Sequence, residues 1–181
     1  MRYFLTTARL GFRHWVSDDL PLAEGLWGDP QVTRFLGGPF PGGAASRLES
    51  EMALQRSHGI QYWPIFLLAG GAHVGCCGLR PYDQEHGIPE LGYHLRPQFW
   101  GQGLAPEAAG AVIDYAFGSL AVHGLFAGHP AENQRSGRVL LKLGFEYQGM
   151  KVYPPSGVME PAYMLRGGGT GAVREPSGRQ R

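Results

Sequence analysis

The run Leu95-Arg96-Pro97-Gln98-Phe99-Trp100-Gly101-Gln102-Gly103-Leu104-Ala105-Pro106-Glu107-Ala108 holds the residues whose types and spacing say most about chemistry. The apolar stretch Ile88 to Leu95 predicts a strand; a short glycine loop ends it, and a helix over Ala105 to Leu120 follows at once. A helix start leaves N–H groups without partners at the positive end of the helix dipole, which suits a phosphate. Gly101 and Gly103 lack a Cβ, so a ligand can come close to the main chain. Pro106 fits the first helical turn, where no N–H is needed. The loop is therefore expected to cradle a pyrophosphate through the main chain of Trp100, Gly101, Gln102, Gly103, Leu104 and Ala105. Two common cradles are excluded: G-x-G-x-x-G fails at Pro106, and no Gly-Lys-Ser/Thr follows to make a P-loop.

A second segment adds to the first. From Asn133 to Phe145 the chain reads Asn-Gln-Arg-Ser-Gly-Arg-Val-Leu-Leu-Lys-Leu-Gly-Phe. Val139, Leu140 and Leu143 supply the apolar spacing of an amphipathic helix, and Gly144 stops it before a new strand.

Together these segments resemble the GNAT family of N-acetyltransferases. The loop fits the family's Q/R-x-x-G-x-G/A pattern in two registers, Gln98-x-x-Gly101-x-Gly103 or Trp100-x-x-Gly103-x-Ala105. The second is preferred, because Glu107-Ala108 then also matches the ribosomal-protein alanine acetyltransferase branch. The Asn133 segment resembles the family's N-x-x-S/A-x-x-x-x-x-K-x-G-F run. Arg9-Leu10-x-Phe12-Arg13 and Glu90-Leu91-Gly92-Tyr93 extend the likeness over roughly residues 8 to 166.

The resemblance implies acetyl-CoA as cosubstrate and direct attack by a primary amine, either a protein N-terminus or a small molecule. It implies a mixed α/β (α+β) fold, with about seven strands flanked by helices and splayed at the strand before the loop. Main-chain groups of Tyr93, His94 and Leu95 would pair with the pantetheine arm, and one N–H would polarise the thioester carbonyl. Glu90 is the candidate general base, acting through a water, if burial raises its pKa. An exposed Glu90 on the solvent side of the strand is the competing reading; His94 and His73 are alternative bases. Ser136 would bond the coenzyme sulfur, and Asn133 the pantetheine arm while starting its helix. Arg135, Arg138 and Lys142 are candidates for the phosphates. Leu140 stands where many members carry a tyrosine acid. Tyr147 and Tyr153 are the substitutes, although each is expected in the core. The vacant acid position leaves a non-catalytic acyl-CoA-binding module as the alternative.

At 181 residues, with 43% apolar and 17% charged side chains, the chain has the composition of one globular domain with a proper core. A net charge of +1 gives no case for nucleic acid or membrane binding. No stretch approaches the roughly 20 apolar residues of a membrane span, and the first residues do not read as a secretory signal. Cys76 and Cys77 are adjacent, so they would face opposite ways as free thiols, which suits the cytoplasm. None of the seven histidines has ligand spacing, and no metal is expected. The chain is expected to act as a monomer or homodimer.

The remaining elements follow from breakers and periodicity. Strands are predicted over 8–15, 62–69, 73–79, 122–128, 145–153 and 161–166, and helices over 17–27, 29–36 and 44–58. The domain is expected to end at 166. Residues 167–181, rich in Gly, Ser and Arg, read as a solvated, disordered tail. Trp15, Trp27, Phe35, Trp63, Tyr82 and Tyr163 are divided between core and acceptor cleft.

Overall fold

A computed structural model describes residues 2–153 and 157–167. The expected tail, from residue 168 on, lies outside the described residues. Among the described residues eight strands form one sheet: β1 (Leu5–Thr6), β2 (Leu10–Phe12), β3 (Tyr62–Leu67), β4 (His73–Asp83), β5 (Ile88–Leu95), β6 (Gly124–Gly128), β7 (Glu146–Tyr153) and β8 (Val158–Arg166). Their spatial order is β1-β2-β3-β4-β5-β6-β8-β7. The helices are α1 (Leu20–Trp27), α2 (Pro30–Thr33), α3 (Gly43–His58), α4 (Leu104–Ser119) and α5 (Gln134–Lys142).

Alternation along β5 sorts the two layers. Leu91 and Leu95 join a core with Leu104, Ala108, Val112 and Leu140, under α4 and α5. The other face carries a smaller core of Trp15, Leu26, Trp27, Leu48 and Tyr62, under α1 to α3. Cys76 belongs to the second core and Cys77 to the first, as neighbours on a strand must; both are free thiols.

The sheet is antiparallel except where β5 meets β6. Their ladder is a single parallel pair, Glu90 with Phe126. Past that rung the two strands part, and the gap opens toward the loop that follows β5. β5 itself keeps its full antiparallel ladder to β4, from Arg80–Glu90 to Gly75–Leu95.

Local boundaries differ from expectation where side chains or turns intervene. The strand predicted over 8–15 is shortened to β2, and a further short strand, β1, precedes it in a tight hairpin whose turn is closed by the Thr7 hydroxyl, which accepts from the Leu10 N–H at 2.9 Å. The added β1 makes eight strands among the described residues, where about seven are expected. β6 begins two residues late, at Gly124, after Ala121 takes a left-handed conformation (φ 53°). α2 starts where Asp29-Pro30 places it, with Asp29 Oδ1 accepting from the Gln31 N–H at 2.8 Å.

Candidate active site

A cleft of about 980 Å³ lies where β5, the glycine loop, the start of α5 and the segment after α2 converge. Its floor is the glycine loop. Gly101 (φ 75°) and Gly103 (φ 74°) are both left-handed, a conformation that disfavours any side chain. Gly103 caps α4 with no side-chain cap, so the N–H groups of Leu104 and Ala105 have no partner within the helix. Both residues line the cleft, as does Pro106, which has no N–H.

Two of the expected loop residues play other parts. The Trp100 N–H is already bonded to Pro97 O at 3.1 Å, and its indole donates to Leu95 O at 2.7 Å. Trp100 therefore offers the cleft a ring and not a main-chain donor. Gln102 turns outward: its amide donates to Gln98 O at 2.8 Å, and its carbonyl accepts from Arg9 Nη1 at 3.0 Å. Arg9 also pairs with Glu107 at 2.6 Å, and Thr7 donates to the same carboxylate at 2.5 Å. The hairpin of β1 and β2 thus braces the loop from behind.

The end of β5 supplies the second wall. Arg96 N–H donates to Val74 O at 2.9 Å, in register with the β4–β5 ladder. Antiparallel alternation then turns the main chain of His94 toward β4, and that of Tyr93 and Leu95 toward the gap. Of the three residues expected to bind through the backbone, His94 is the exception; it presents its side chain to the cleft. The Leu95 carbonyl is taken by Trp100, leaving its N–H and the main chain of Tyr93. The Tyr93 hydroxyl donates to Ser136 O at 3.4 Å, and burial pushes that phenol up to about 12.

At the start of α5, Asn133 Oδ1 accepts from the Ser136 N–H at 3.4 Å and caps the helix. Asn133 and Ser136 line the cleft, along with Arg135, Arg138 and Lys142, which make this end cationic. Leu140 is 2% exposed and belongs to the core. Tyr147, expected in the core, is 54% exposed on an edge strand, where only β8 covers it.

Glu90 is 8% exposed, which removes the reading of a solvent-side carboxylate. Burial pushes its pKa up to about 7, against the Tyr153 hydrogen bond and the Arg80 and Arg47 guanidinium groups, which pull it down. The Tyr153 hydroxyl lies 3.1 Å from both carboxylate oxygens. Glu90 shares the His94 face of β5, about 13 Å along the strand, and does not itself line the cleft. Between them, a Cβ on Gly92 would sit 2.1 Å from the Tyr62 hydroxyl, so the glycine makes room for that ring.

Beneath Tyr62 lies a charge cluster that the sequence reading missed. Glu51, with no exposure, is salt-bridged to Arg47 at 3.1 Å and to Arg80, and accepts from the Tyr62 N–H at 2.8 Å. Arg80 stacks over the Tyr62 ring at 4.6 Å. His73 is a core residue, not a base. It is 5% exposed between Trp15 and Phe66, and burial with Arg96 nearby lowers it to about 4. Trp15, Trp27, Trp63 and Tyr163 are buried; Phe35 lines the cleft, and Tyr82 stacks on Phe126 away from it.

Among the described residues no group of three His, Cys, Asp or Glu side chains is placed to hold a metal ion, and no helix is long and apolar enough to cross a membrane.

A mixed sheet splayed beside a glycine loop at a bare helix start is the architecture of the site. The comparisons give the family: a model described as "Acetyltransferase (GNAT) domain" matches residues 9–146, and the chain belongs to that family. A Bacillus licheniformis protein named as an uncharacterized N-acetyltransferase, p20, is 32% identical over 149 residues, covering 81% of this chain and 84% of the relative. The ribosomal protein uS5-alanine N-acetyltransferase of Escherichia coli is 39% identical over 59 residues, 33% of this chain and 30% of that one. The crystal structure of an acetyltransferase from Agrobacterium tumefaciens superposes with a TM-score of 0.78 at 25% identity, covering 92% of this chain and 98% of that one.

Proposed function

We propose that the protein transfers an acetyl group from acetyl-CoA to a primary amine, a protein N-terminus or a small molecule, by direct attack. The observation that carries this reading is the glycine loop, continuous with the β5–β6 gap on the side where a buried carboxylate is held near neutrality. The free N–H groups at the start of α4 suit a pyrophosphate, and Arg135, Arg138 and Lys142 add positive charge around it. The N–H groups of Tyr93 and Leu95 suit an extended amide-bearing arm and a polarised carbonyl. Asn133 and Ser136 stand across the gap as further polar partners.

The thioester of acetyl-CoA supplies an acyl group already activated toward a neutral amine. Glu90, ionised above about pH 7, accepts the ammonium proton through water, and the neutral amine attacks. The C–N bond forms, the C–S bond breaks, and the second proton, shed by the new amide nitrogen, passes through water to the departing thiolate, which leaves as the thiol by the solvent side of the cleft. Leu140 provides no acid, and the proton released by the attacking nitrogen serves the thiolate in its place, since a thiol of ordinary pKa is mostly protonated at neutral pH. The two free, buried thiols suit a cytoplasmic setting. Release of free thiol from acetyl-CoA in the presence of an amine panel tests the reading; coenzyme binding without thiol release from any amine would reduce the protein to a binding module.

Gly103→Val tests the cradle. The nearest atom to a Cβ there is Arg9 Nη2 at 3.6 Å, an ordinary contact, so crowding within the protein is not the problem. The penalty is the left-handed backbone, roughly 1–2 kcal/mol, together with a branched side chain where a phosphate must approach. Affinity for coenzyme A is expected to fall at least about tenfold, or 1.4 kcal/mol. Unchanged affinity by calorimetry on the folded variant would remove the cradle.

A further inference from the structure

Trp27 and His94 together fix a protonation state. An indole N–H can only donate, and Trp27 donates to His94 Nδ1 at 3.1 Å. Nδ1 is therefore the acceptor of the ring, and the proton of the neutral imidazole sits on Nε2. Burial, and then Arg47 and Arg80, hold the imidazolium well below its ordinary range, so the ring stays neutral. Cys76 Sγ lies 3.7 Å from the same Nδ1, and Tyr62 packs edge-on against the ring at 5.4 Å.

Nε2 has no hydrogen-bond partner among the described residues. Among the described residues, the sealed polar side-chain atoms without a partner belong to Arg47, His73 and Arg80. Nε2 of His94 therefore opens onto the cleft that His94 lines. It is a neutral N–H donor on the Glu90 face of β5, between Tyr93 and Leu95, whose main chain faces the gap. It cannot serve as a base while Trp27 holds Nδ1.

We propose that this N–H binds a carbonyl oxygen of the acceptor, so that the preferred acceptor is an α-amino amide such as a peptide N-terminus and not a simple alkylamine. The proposal rests on the acetyl-transfer reading above. The amine under attack must stand at the gap beside Tyr93. In an α-amino amide the carbonyl carbon is bonded to the carbon bearing that amine, so its oxygen falls within reach of a donor next door. An alkylamine leaves the donor unpaired in a cleft it has helped to dry, and sites built around such a bond discriminate against ligands that lack it.

The test compares two acceptors, a short alanine-headed peptide and isopropylamine, which keeps the amine and a methyl group but has no carbonyl. Because the amines differ in basicity, each is read as its own ratio of wild-type to variant kcat/KM. His94→Phe removes the donor and is expected to cost at least about tenfold on the peptide and little on isopropylamine. His94→Gln, which carries an amide N–H to the Nε2 position, is expected to restore most of that loss. Should the phenylalanine variant fail to fold, His94→Asn keeps an acceptor for Trp27, drops the donor, and carries the same expectation. Equal losses on both acceptors, or turnover of isopropylamine but not of the peptide by the wild type, overturn the acceptor assignment and leave acetyl transfer standing. Turnover of neither by the wild type sinks both.

Discussion

Glu90→Gln is expected to lose roughly 100- to 10,000-fold in turnover at neutral pH, the range of a positioned general base, while binding acetyl-CoA normally. Glutamine keeps the shape and can still accept from Tyr153, but it cannot take a proton. The loss should shrink as pH rises, since the amine then ionises unaided. In the native protein the base works only when ionised, so kcat/KM is expected to rise through about pH 7, where burial has placed the carboxyl. Tyr153→Phe removes a hydrogen bond that favours the carboxylate, and the acid limb should move to higher pH. A pH–rate series on the three proteins checks all of this. Full turnover by Glu90→Gln at neutral pH would pass the proton to bulk water, because His94 is committed as a donor.

Glu51→Gln is expected to be the most destabilising near-isosteric change in the chain. It takes the salt-bridge partner from Arg47 and Arg80, both mostly buried, and turns an N–H donor toward two guanidinium groups. Breaking a buried ion pair from one side costs roughly 3–5 kcal/mol. For a domain of this size that lowers the melting temperature by about 2–4 °C per kcal/mol, or roughly 6–20 °C. Thermal unfolding monitored by circular dichroism reads it directly; a change of only a degree or two would mean that water or another carboxylate neutralises the pair.

These two residues also show what local sequence can carry. β5, with its breakers on both sides, runs from Ile88 to Leu95 as predicted, and α4 and α5 begin within a residue of expectation. Their signals are local: alternation, a glycine pair, a capping Asn133. Glu51 sits in α3 among Arg, Ser and Gln residues and reads there as one more solvated charge. Its partner Arg80 comes from β4, and nothing in the spacing between them announces the contact. The same holds for Tyr153 and Glu90: β7 lies three places from β5 in the sheet, and nothing in either strand's local sequence announces their hydrogen bond. Trp100 shows the same thing on a smaller scale: a loop's N–H groups look equally free until Pro97 is seen to take one of them.

The lone rung between β5 and β6 has a thermodynamic consequence. In an ordinary sheet, backbone bonds make adjacent strands open and close as one cooperative unit. Here five strands on one side and three on the other are coupled across the gap chiefly by side chains, with Leu91 meeting Leu125 and Leu140 in a shared core. An extended arm bonded in the gap ties the halves together, so separating them also means releasing it. By linkage, a ligand at 100 times its dissociation constant adds about 2.7 kcal/mol to the folded state. If that arm is the pantetheine of acetyl-CoA, as proposed above, the resistance of the chain to heat and proteolysis becomes a readout of how much coenzyme surrounds it.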